Sequence, residues 1–325
     1  MAGHDHLHHD HGAAGGHHGH SHGHSHGPGG HSHAPTSFGT AFAFAIALNT
    51  LIVVAEGVAG LVGHSVALVA DATHNLSDVL GLCAAFAAYR LGRRAPSRQF
   101  TYGLGGTSIL AALFNAVLLL VVTGALMLEA VQRLLNPEPV ATGIVMAVAA
   151  AAIVGNGLSA WLLAPGKDGD LNVRAAVAHL AADAGVAAGV VVGALAIRLT
   201  GLTWIDPLLS LAINAMIIVA TWQLLRESVA MSLAGVPRSV EMDDVRAYLA
   251  ELPGVDGMHD LHVWSVSTSE VALTAHLVMP TGHPGDVFLM DACRVLRERH
   301  GIGHATLQIE TSLATDCRLA PESVV

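Results

Sequence analysis

Two apolar stretches of the chain each carry a histidine and an aspartate four residues apart. His74 and Asp78 form one pair, and His179 and Asp183 form the other. A spacing of four puts both side chains of a pair on one face of a helix. Two imidazole nitrogens and two carboxylate oxygens make a closed tetrahedral ligand set for Zn²⁺, whereas Mn²⁺ and Mg²⁺ favour all-oxygen ligands. We therefore predict a zinc-type site, and this argument leaves Co²⁺, Cd²⁺ and Ni²⁺ open.

Three more polar residues accompany these pairs within the apolar segments. Asp71 lies one helical turn before His74, where it could orient a metal ligand or relay protons or ions. Asn49 and Glu56 are seven residues apart on an earlier segment and share a helix face; they could line the same pathway or only hydrogen-bond between helices. Ionisable side chains deep in a bilayer are costly and usually functional. The matched pairs therefore favour metal binding over simple helix–helix hydrogen bonding.

The composition is that of a membrane protein with a soluble remainder. Of the 325 residues, 52% are hydrophobic and only 12% are charged, which is about half the charged fraction of an ordinary soluble domain. The formal charge of −10 argues against nucleic acid as a partner. The three cysteines show no paired spacing and suit a reduced cytosolic face. No Lys or Arg precedes Arg90, so the charged start of a secretory signal peptide is missing.

Six apolar segments are each long enough to cross a hydrocarbon core of about 30 Å at about 1.5 Å per helical residue. We place these predicted transmembrane helices near 37–60, 65–90, 107–134, 140–163, 174–198 and 204–228. Asp206 falls near the start of the sixth, where we expect it to lie at the membrane interface.

The distribution of basic residues predicts the orientation of these helices. One set of loops and flanks carries Arg90, Arg93, Arg94, Arg98, Lys167, Arg174, Arg226 and Arg238. The opposite set has only Arg133 and Arg198 nearby. Since Lys and Arg accumulate on the cytoplasmic side, both termini are predicted to be cytoplasmic, in a multi-pass protein of the cell inner membrane.

The chain divides into four parts by composition. Residues 1–35 are a low-complexity cytoplasmic tail of Gly, His, Ser and Asp, which we predict to be disordered and either to capture metal weakly or to be inert. Residues 36–230 form the transmembrane domain. Residues 236–316 read as helix, strand, strand, helix, strand, which predicts a small α+β domain with its helices on one face of a sheet. Residues 317–325 form a short tail.

The C-terminal domain has candidate metal ligands of its own. They are His259, His262, His276, His304 and Glu310. In a histidine-rich chain some of these are surface residues without a function, and others could bind a metal that favours one conformation over another.

The motifs together resemble the cation diffusion facilitator family, in particular its bacterial zinc, cadmium and cobalt exporters. The resemblance covers nearly everything after the tail and rests on VADATHNLSD, HLAADAGV, WIDPLLSLAI, FTYGLGG, HDLHVW and HATLQIE. It implies that His74, Asp78, His179 and Asp183 form the transport site. It further implies a homodimer that exchanges cytoplasmic Zn²⁺ for protons. The cytoplasmic domain would be ferredoxin-like and would bind additional, regulatory Zn²⁺, with His259, His276 and Glu310 at or near the family's metal positions.

Three features depart from this family pattern. Gly106 and Ser108 stand where many relatives carry an Arg and a Glu, so a salt link there is absent. The histidines lie in the N-terminal tail, whereas many relatives place them between the fourth and fifth helices. His74 stands where one branch of the family has an aspartate, which supports zinc over iron or manganese.

Two other functional classes remain to be compared with transport. An intramembrane metalloenzyme needs an open coordination position and a general base, and the sequence has no His-Glu-x-x-His motif. A metal sensor that binds without transport would suit the tail and the soluble domain, but it does not explain paired ligands at mid-bilayer depth. We therefore predict a divalent metal efflux transporter and not an enzyme.

Overall fold

The structure, a computed structural model, consists of a six-helix bundle followed by a small domain with one sheet. It describes residues 40–92, 94–163, 171–312, 317 and 319, so the predicted N-terminal tail lies outside the described residues. The helices of the bundle are α1 Thr40–Val62, α2 Val66–Gly92, α3 Thr107–Leu135, α4 Thr142–Leu163, α5 Leu171–Thr200 and α6 Ile205–Ser232. All six predicted apolar segments are thus helical, with ends that differ from the prediction by a few residues.

Four helices are long and apolar enough to cross a membrane. They are α3, α4, α6 and the part of α5 from Arg174 to Thr200. Their outer surfaces present large apolar side chains, such as Phe114, Val154 and Val219, each at least two-thirds exposed (69%, 68% and 75%). A surface of this kind is unfavourable in water and favourable against lipid. These helices therefore cross a membrane.

All six helices contribute to one apolar core. It includes Ala59, Leu68, Leu119, Val145, Val190 and Ile213, one from each helix. Gly155 of α4 packs closely on α1: an added Cβ would lie 2.3 Å from Cδ1 of Ile52. A larger residue at that position would require the Ile52 side chain to move.

The buried carboxylate of Asp206 joins the start of α6 to the start of α2. It accepts hydrogen bonds from Ser65 Oγ at 2.5 Å, from the Val66 N–H at 2.7 Å and from the Ala67 N–H at 3.4 Å. These are unpaired donors of the first turn of α2, and a carboxylate there also interacts favourably with the helix dipole. Asp206 is only 4% exposed because a helix terminus supplies its hydrogen bonds, and its position at the membrane interface stays a prediction.

The C-terminal domain contains two helices and a three-stranded sheet. Its elements are α7 Met242–Ala250, β1 Gly257–Ser265, β2 Val271–Val278, α8 Asp286–His300 and β3 His304–Glu310. The strand order is β1-β2-β3, with β1 antiparallel and β3 parallel to β2. Both helices pack on one face of the sheet, as predicted, through a core that includes Val245, Leu249, Val263, Leu273, Leu277 and Leu296.

A β-bulge in β1 decides which histidines share the other face of this sheet. His259 pairs with His276, whereas His262 pairs with Thr274. An advance of three residues along β1 therefore corresponds to an advance of two residues along β2, so β1 has one extra residue. In a regular strand, residues three apart point to opposite faces. The bulge places His259 and His262 on the same face, and Asp260 within it adopts a left-handed conformation with φ of 52°.

A contact between the two domains involves Ser108, in the first turn of α3. The Thr268 N–H, in the turn after β1, donates to Ser108 Oγ at 3.0 Å. Gly105 lies beneath the same turn, where an added Cβ would come within 3.3 Å of Ser267 Cβ. The rings of Tyr102 and His304 meet edge to face with centroids 5.4 Å apart. A hydroxyl and a close glycine contact thus join the bundle to the C-terminal domain.

Replacement of Asp206 by alanine should destabilise the bundle. We expect Asp206→Ala to lower the free energy of unfolding by about 1–2 kcal/mol, because the first turn of α2 loses its cap. Thermal unfolding in detergent, followed by circular dichroism, measures the change. Glu129→Ala is the control, since the exposed Glu129–Arg133 pair contributes at most about 0.5 kcal/mol. Identical unfolding midpoints for wild type and Asp206→Ala would contradict the capping role.

Candidate metal sites

The first candidate site lies inside the bundle, where α2 and α5 bring the two His–Asp pairs together. The Nε2 atom of His179 lies 3.1 Å from Oδ2 of Asp78 and 3.7 Å from Oδ2 of Asp183. The Nε2 atom of His74 lies 3.8 Å from Oδ2 of Asp78 and 4.0 Å from Oδ1 of Asp183. Each imidazole thus faces one carboxylate from its own helix and one from the other helix.

Helix geometry explains how this set is assembled. The pairs at i and i+4 point from one face of each helix, and the imidazole rings of His74 and His179 are 6.0 Å apart with nearly perpendicular planes. Asp183 is almost fully buried, whereas the other three side chains are partly accessible. Two nitrogens and two oxygens converge on one accessible point. In a tetrahedron with metal–ligand distances of about 2.0–2.2 Å, neighbouring ligand atoms lie about 3.3–3.6 Å apart. The N···O separations of 3.1–4.0 Å in this set fit that geometry.

The three additional polar residues of the sequence analysis lie in α1 and α2. Glu56 is fully buried and accepts a hydrogen bond at 3.1 Å from Nδ2 of Asn75, a residue that the sequence analysis did not select. Asp71 is also buried. The Oδ1 atom of Asn49 is buried and has no hydrogen-bond partner among the described residues. Among the described residues, no hydrogen bond or ion pair joins Asn49, Glu56 or Asp71 to the His–Asp set.

The second candidate site lies on the sheet face opposite α7 and α8. It comprises His259, His276, Glu310 and Cys317, whose donor atoms all lie within 4.8 Å of one another. The Oε1 atom of Glu310 is 3.0 Å from Nδ1 of His276 and 3.3 Å from Nε2 of His259. The Sγ atom of Cys317 is 3.7 Å from the same Nδ1. Two nitrogens, one oxygen and one sulfur are ligands that suit Zn²⁺.

The charge state of Glu310 suits metal binding. Burial by itself raises the pKa of this carboxyl, but a hydrogen bond with Cys317 and the neighbouring imidazoles of His259 and His276 outweigh burial and hold the pKa below its usual range. The carboxylate is therefore ionised at neutral pH, as a metal ligand must be.

Asp260 lies next to the Nε2 atom of His276, whereas the cluster is next to the Nδ1 atom of the same ring. Its Oδ2 is 3.4 Å from Nε2 of His276, and its Oδ1 is 2.8 Å from Nε2 of His262. If His276 binds a metal through Nδ1, its proton lies on Nε2 and points to Asp260. A carboxylate in this position fixes the tautomer and the ring orientation of a metal-binding histidine.

The structure thus brings together only some of the histidines predicted in this domain. His259, His276 and Glu310 form the cluster, and His262 joins it indirectly through Asp260. His304 begins β3, pairs with Ala272 at the far end of the sheet from Glu310, and contacts Tyr102. Neither Cys317, which was predicted to lie in the tail, nor Asp260 was predicted as part of this site. Asp260 directly follows His259 in the HDLHVW motif, so the sequence could have indicated a role for Asp260 in metal binding. Cys317 approaches the other ligands only in the folded structure.

Comparison with known proteins identifies the class. Residues 42–231 match the family described as the cation efflux transmembrane domain, and residues 237–312 match the cytoplasmic domain of cation efflux proteins. Together these matches cover most of the chain. The described residues therefore belong to a membrane transport protein with a cytoplasmic domain.

Several characterised relatives align along most of their length. The zinc transporter ZitB of Escherichia coli (strain K12) is 36% identical over 271 residues, which cover 83% of this chain and 86% of the relative. The metal cation efflux system protein CzcD of Cupriavidus metallidurans is 34% identical over 82% of this chain and 84% of its own. A cadmium, cobalt and zinc/H⁺-K⁺ antiporter of Bacillus subtilis is 30% identical over 79% and 84%. The chain belongs to the cation diffusion facilitator family of divalent cation efflux transporters, and it is not an enzyme.

The role of Asp260 can be tested through metal affinity. We expect Asp260→Asn to weaken Zn²⁺ binding by the C-terminal cluster by about 10–100-fold, the usual effect of losing a carboxylate that orients a ligand histidine. Competition with a chromophoric chelator measures the affinity, in a chain that lacks residues 1–35 and carries Asp183→Ala so that other sites do not interfere. His304→Ala is the control and should leave the affinity unchanged. An unchanged affinity in Asp260→Asn would show that His276 needs no such partner.

Proposed function

We propose that the protein exports Zn²⁺ from the cytoplasm in exchange for protons, with Cd²⁺ and Co²⁺ as further substrates. The observation that carries the proposal is the set formed by His74, Asp78, His179 and Asp183, two nitrogen and two oxygen donors between two helices of a membrane bundle. Transporters place their ion sites at such positions. The names of the relatives, which include zinc transporters and a cadmium, cobalt and zinc antiporter, support the same substrates.

Proton exchange follows from the chemistry of these ligands. A metal-binding imidazole must be neutral and a metal-binding carboxylate must be ionised, so protons and metal compete for the same atoms. With the site open to the cytoplasm, Zn²⁺ binds and displaces protons. With the site open to the other side, protons displace Zn²⁺. The helices rock around the site between these two states.

The proposed topology has six transmembrane helices and cytoplasmic termini. α1 has 23 residues and α2 has 27, lengths of about 34 and 40 Å at 1.5 Å per residue. Both helices contribute to the same core as the four apolar ones. The polar residues of α2, including both site residues, reduce its mean hydropathy. The excess of Lys and Arg on one side supports the orientation.

In this proposal the C-terminal domain is ferredoxin-like, joins two copies of the chain and binds regulatory Zn²⁺. The element order and the two helices on one face of the sheet support that fold. The matched domain family is named for dimerisation. The cluster of His259, His276, Glu310 and Cys317 supplies a complete set of four ligands. Zinc there would regulate transport only if it bound one conformation more tightly than the other.

The transport site is tested by removal of single ligands. We expect His74→Ala and Asp183→Ala each to reduce Zn²⁺ flux in proteoliposomes to the level of protein-free vesicles, because three ligands no longer close around the ion. His283→Ala is the matched control, since it removes an exposed histidine that belongs to neither candidate site and should retain flux. Flux at the wild-type rate in either bundle variant would reject these ligands.

The proposed exchange of Zn²⁺ for protons is tested by varying the pH gradient across the vesicle membrane. In proteoliposomes of the wild-type protein, we expect a pH gradient that is acidic on the receiving side to accelerate Zn²⁺ flux, and an uncoupler to remove that acceleration. In parallel assays of Zn²⁺, Cd²⁺, Co²⁺, Ni²⁺ and Mn²⁺, zinc should be among the fastest and manganese the slowest, because the donors include two imidazoles. Flux that ignores the pH gradient would exclude proton exchange. Zinc binding without any flux would indicate a sensor.

A further inference from the structure

A second group of buried acidic residues lies between α1 and α2, apart from the His–Asp set. Glu56 is 0% exposed, and Asp71 and Asn75 are each 1% exposed. Asn75 donates to Oε2 of Glu56 through its amide. Four other buried oxygens have no hydrogen-bond partner among the described residues: Oε1 of Glu56, Oδ1 and Oδ2 of Asp71, and Oδ1 of Asn75. The group therefore has more acceptors than donors.

The packing of α1 on α2 brings these residues close together. An added Cβ at Gly57 would lie 4.0 Å from Cβ of Ala72, so the two helices touch beside both carboxyl groups. Asp71 and Asn75 are four apart and share a face of α2. The charges of Glu56 and Asp71 repel each other when both groups are ionised. Two unpaired negative charges at this depth are strongly unfavourable.

Asp206 shows what a buried carboxylate with a structural role looks like in the same bundle. It accepts three hydrogen bonds from the first turn of α2. Among the described residues, Glu56 and Asp71 have no backbone donor of this kind. A protonated carboxyl provides one O–H donor, so protonation of either group would add a donor beside these acceptors.

We infer that Glu56 and Asp71 form a proton-carrying carboxyl pair that is separate from the metal ligands. The inference rests on the proposed Zn²⁺/H⁺ exchange: some of the protons that are exchanged for Zn²⁺ bind to this pair. Protonation of either group removes a buried charge, removes the repulsion between the two, and adds a donor to a group that lacks donors. Two carboxyls in one low-dielectric site share protons for these reasons.

The pair is electrostatically linked to the metal site through Asp183. This ligand carboxylate repels the charges of both Glu56 and Asp71. Zn²⁺ bound at Asp183 and His74 brings two positive charges, which favour the ionised forms of the pair and release its protons. Protonation of the pair correspondingly removes negative charge near the site and weakens metal binding.

Other ionisable groups of the bundle do not replace this pair. α4 contains no ionisable residue. Asp206 of α6 has its own donors, and Glu129 and Arg133 of α3 pair with each other. His74 and Asp78 of α2 and His179 of α5 belong to the metal site.

The test counts the protons released when Zn²⁺ binds. Isothermal titration of the full-length protein with Zn²⁺ in two buffers of different ionisation enthalpy gives this number. We expect Glu56→Gln and Asp71→Asn each to release fewer protons than wild type, with zinc affinity within about tenfold of wild type, because each variant removes a single charge that does not ligate the metal. In proteoliposomes the same variants should lose most of the acceleration by a pH gradient. Glu129→Gln, at the exposed end of α3, should match wild type in both assays.

The outcomes separate the two proposals. If wild type releases protons and both variants release the same number, the pair carries no protons and this inference fails while proton exchange stands. If Asp71→Asn abolishes zinc binding, Asp71 belongs to the metal site and the inference is also overturned. If wild type releases no protons and its flux ignores the pH gradient, the proposed exchange itself fails.

Discussion

The cost of an ionisable group inside a membrane bundle is the constraint on which this structure depends. No water in the hydrocarbon core satisfies a charge, so each buried carboxylate needs a specific partner. For Asp206 the partners are the donors at the start of α2. For Asp78 and Asp183 the partners are two imidazoles. For Glu56 and Asp71 the described residues supply only the amide of Asn75. In our proposals, these three levels of hydrogen-bond partnering correspond to a structural role, to metal binding and to proton binding.

The C-terminal domain is under a different constraint, because its polar surface groups can bind water. Its sheet buries apolar residues against α7 and α8 on one face and collects polar donors on the other. The period of two along a strand would separate His259 from His262, and the bulge around Asp260 cancels that separation. The left-handed backbone of Asp260 is unusual for a residue other than glycine. It places a carboxylate between two histidines.

The strand β3 connects this cluster with the membrane bundle. Glu310, at its end, contacts the cluster histidines, and His304, at its start, contacts Tyr102 next to α3. The hydrogen bond between Thr268 and Ser108 lies nearby and joins the turn after β1 to the first turn of α3. Since α3 also bonds to α2 through Ser77 and Asn115, the two candidate sites are joined by a continuous set of packed elements.

The sequence alone determined the helices, the strands and the donor types of both sites. Long apolar segments admit few alternatives to helices, and a spacing of four assigns His74 and Asp78 to one face without reference to the rest of the chain. The family motifs indicated the transport residues that we propose for the same reason: the two ligands on each helix are close in the sequence. The positions of His259, His276 and Glu310 were likewise predicted, and their strands formed where the alternation of apolar residues indicated.

Only the tertiary structure decided which distant residues meet. Asp206 bonds to the start of α2, which is about 140 residues away in the sequence. No local sequence pattern predicts such a contact. His304 was grouped with the other histidines, but the register of β3 puts it at the opposite end of the strand from Glu310. The bulge that turns His262 toward Asp260 is a feature of strand pairing, and Cys317 meets the cluster only in three dimensions, 41 positions from His276. Local spacing determines which side chains share a face, whereas packing between elements determines what each face meets.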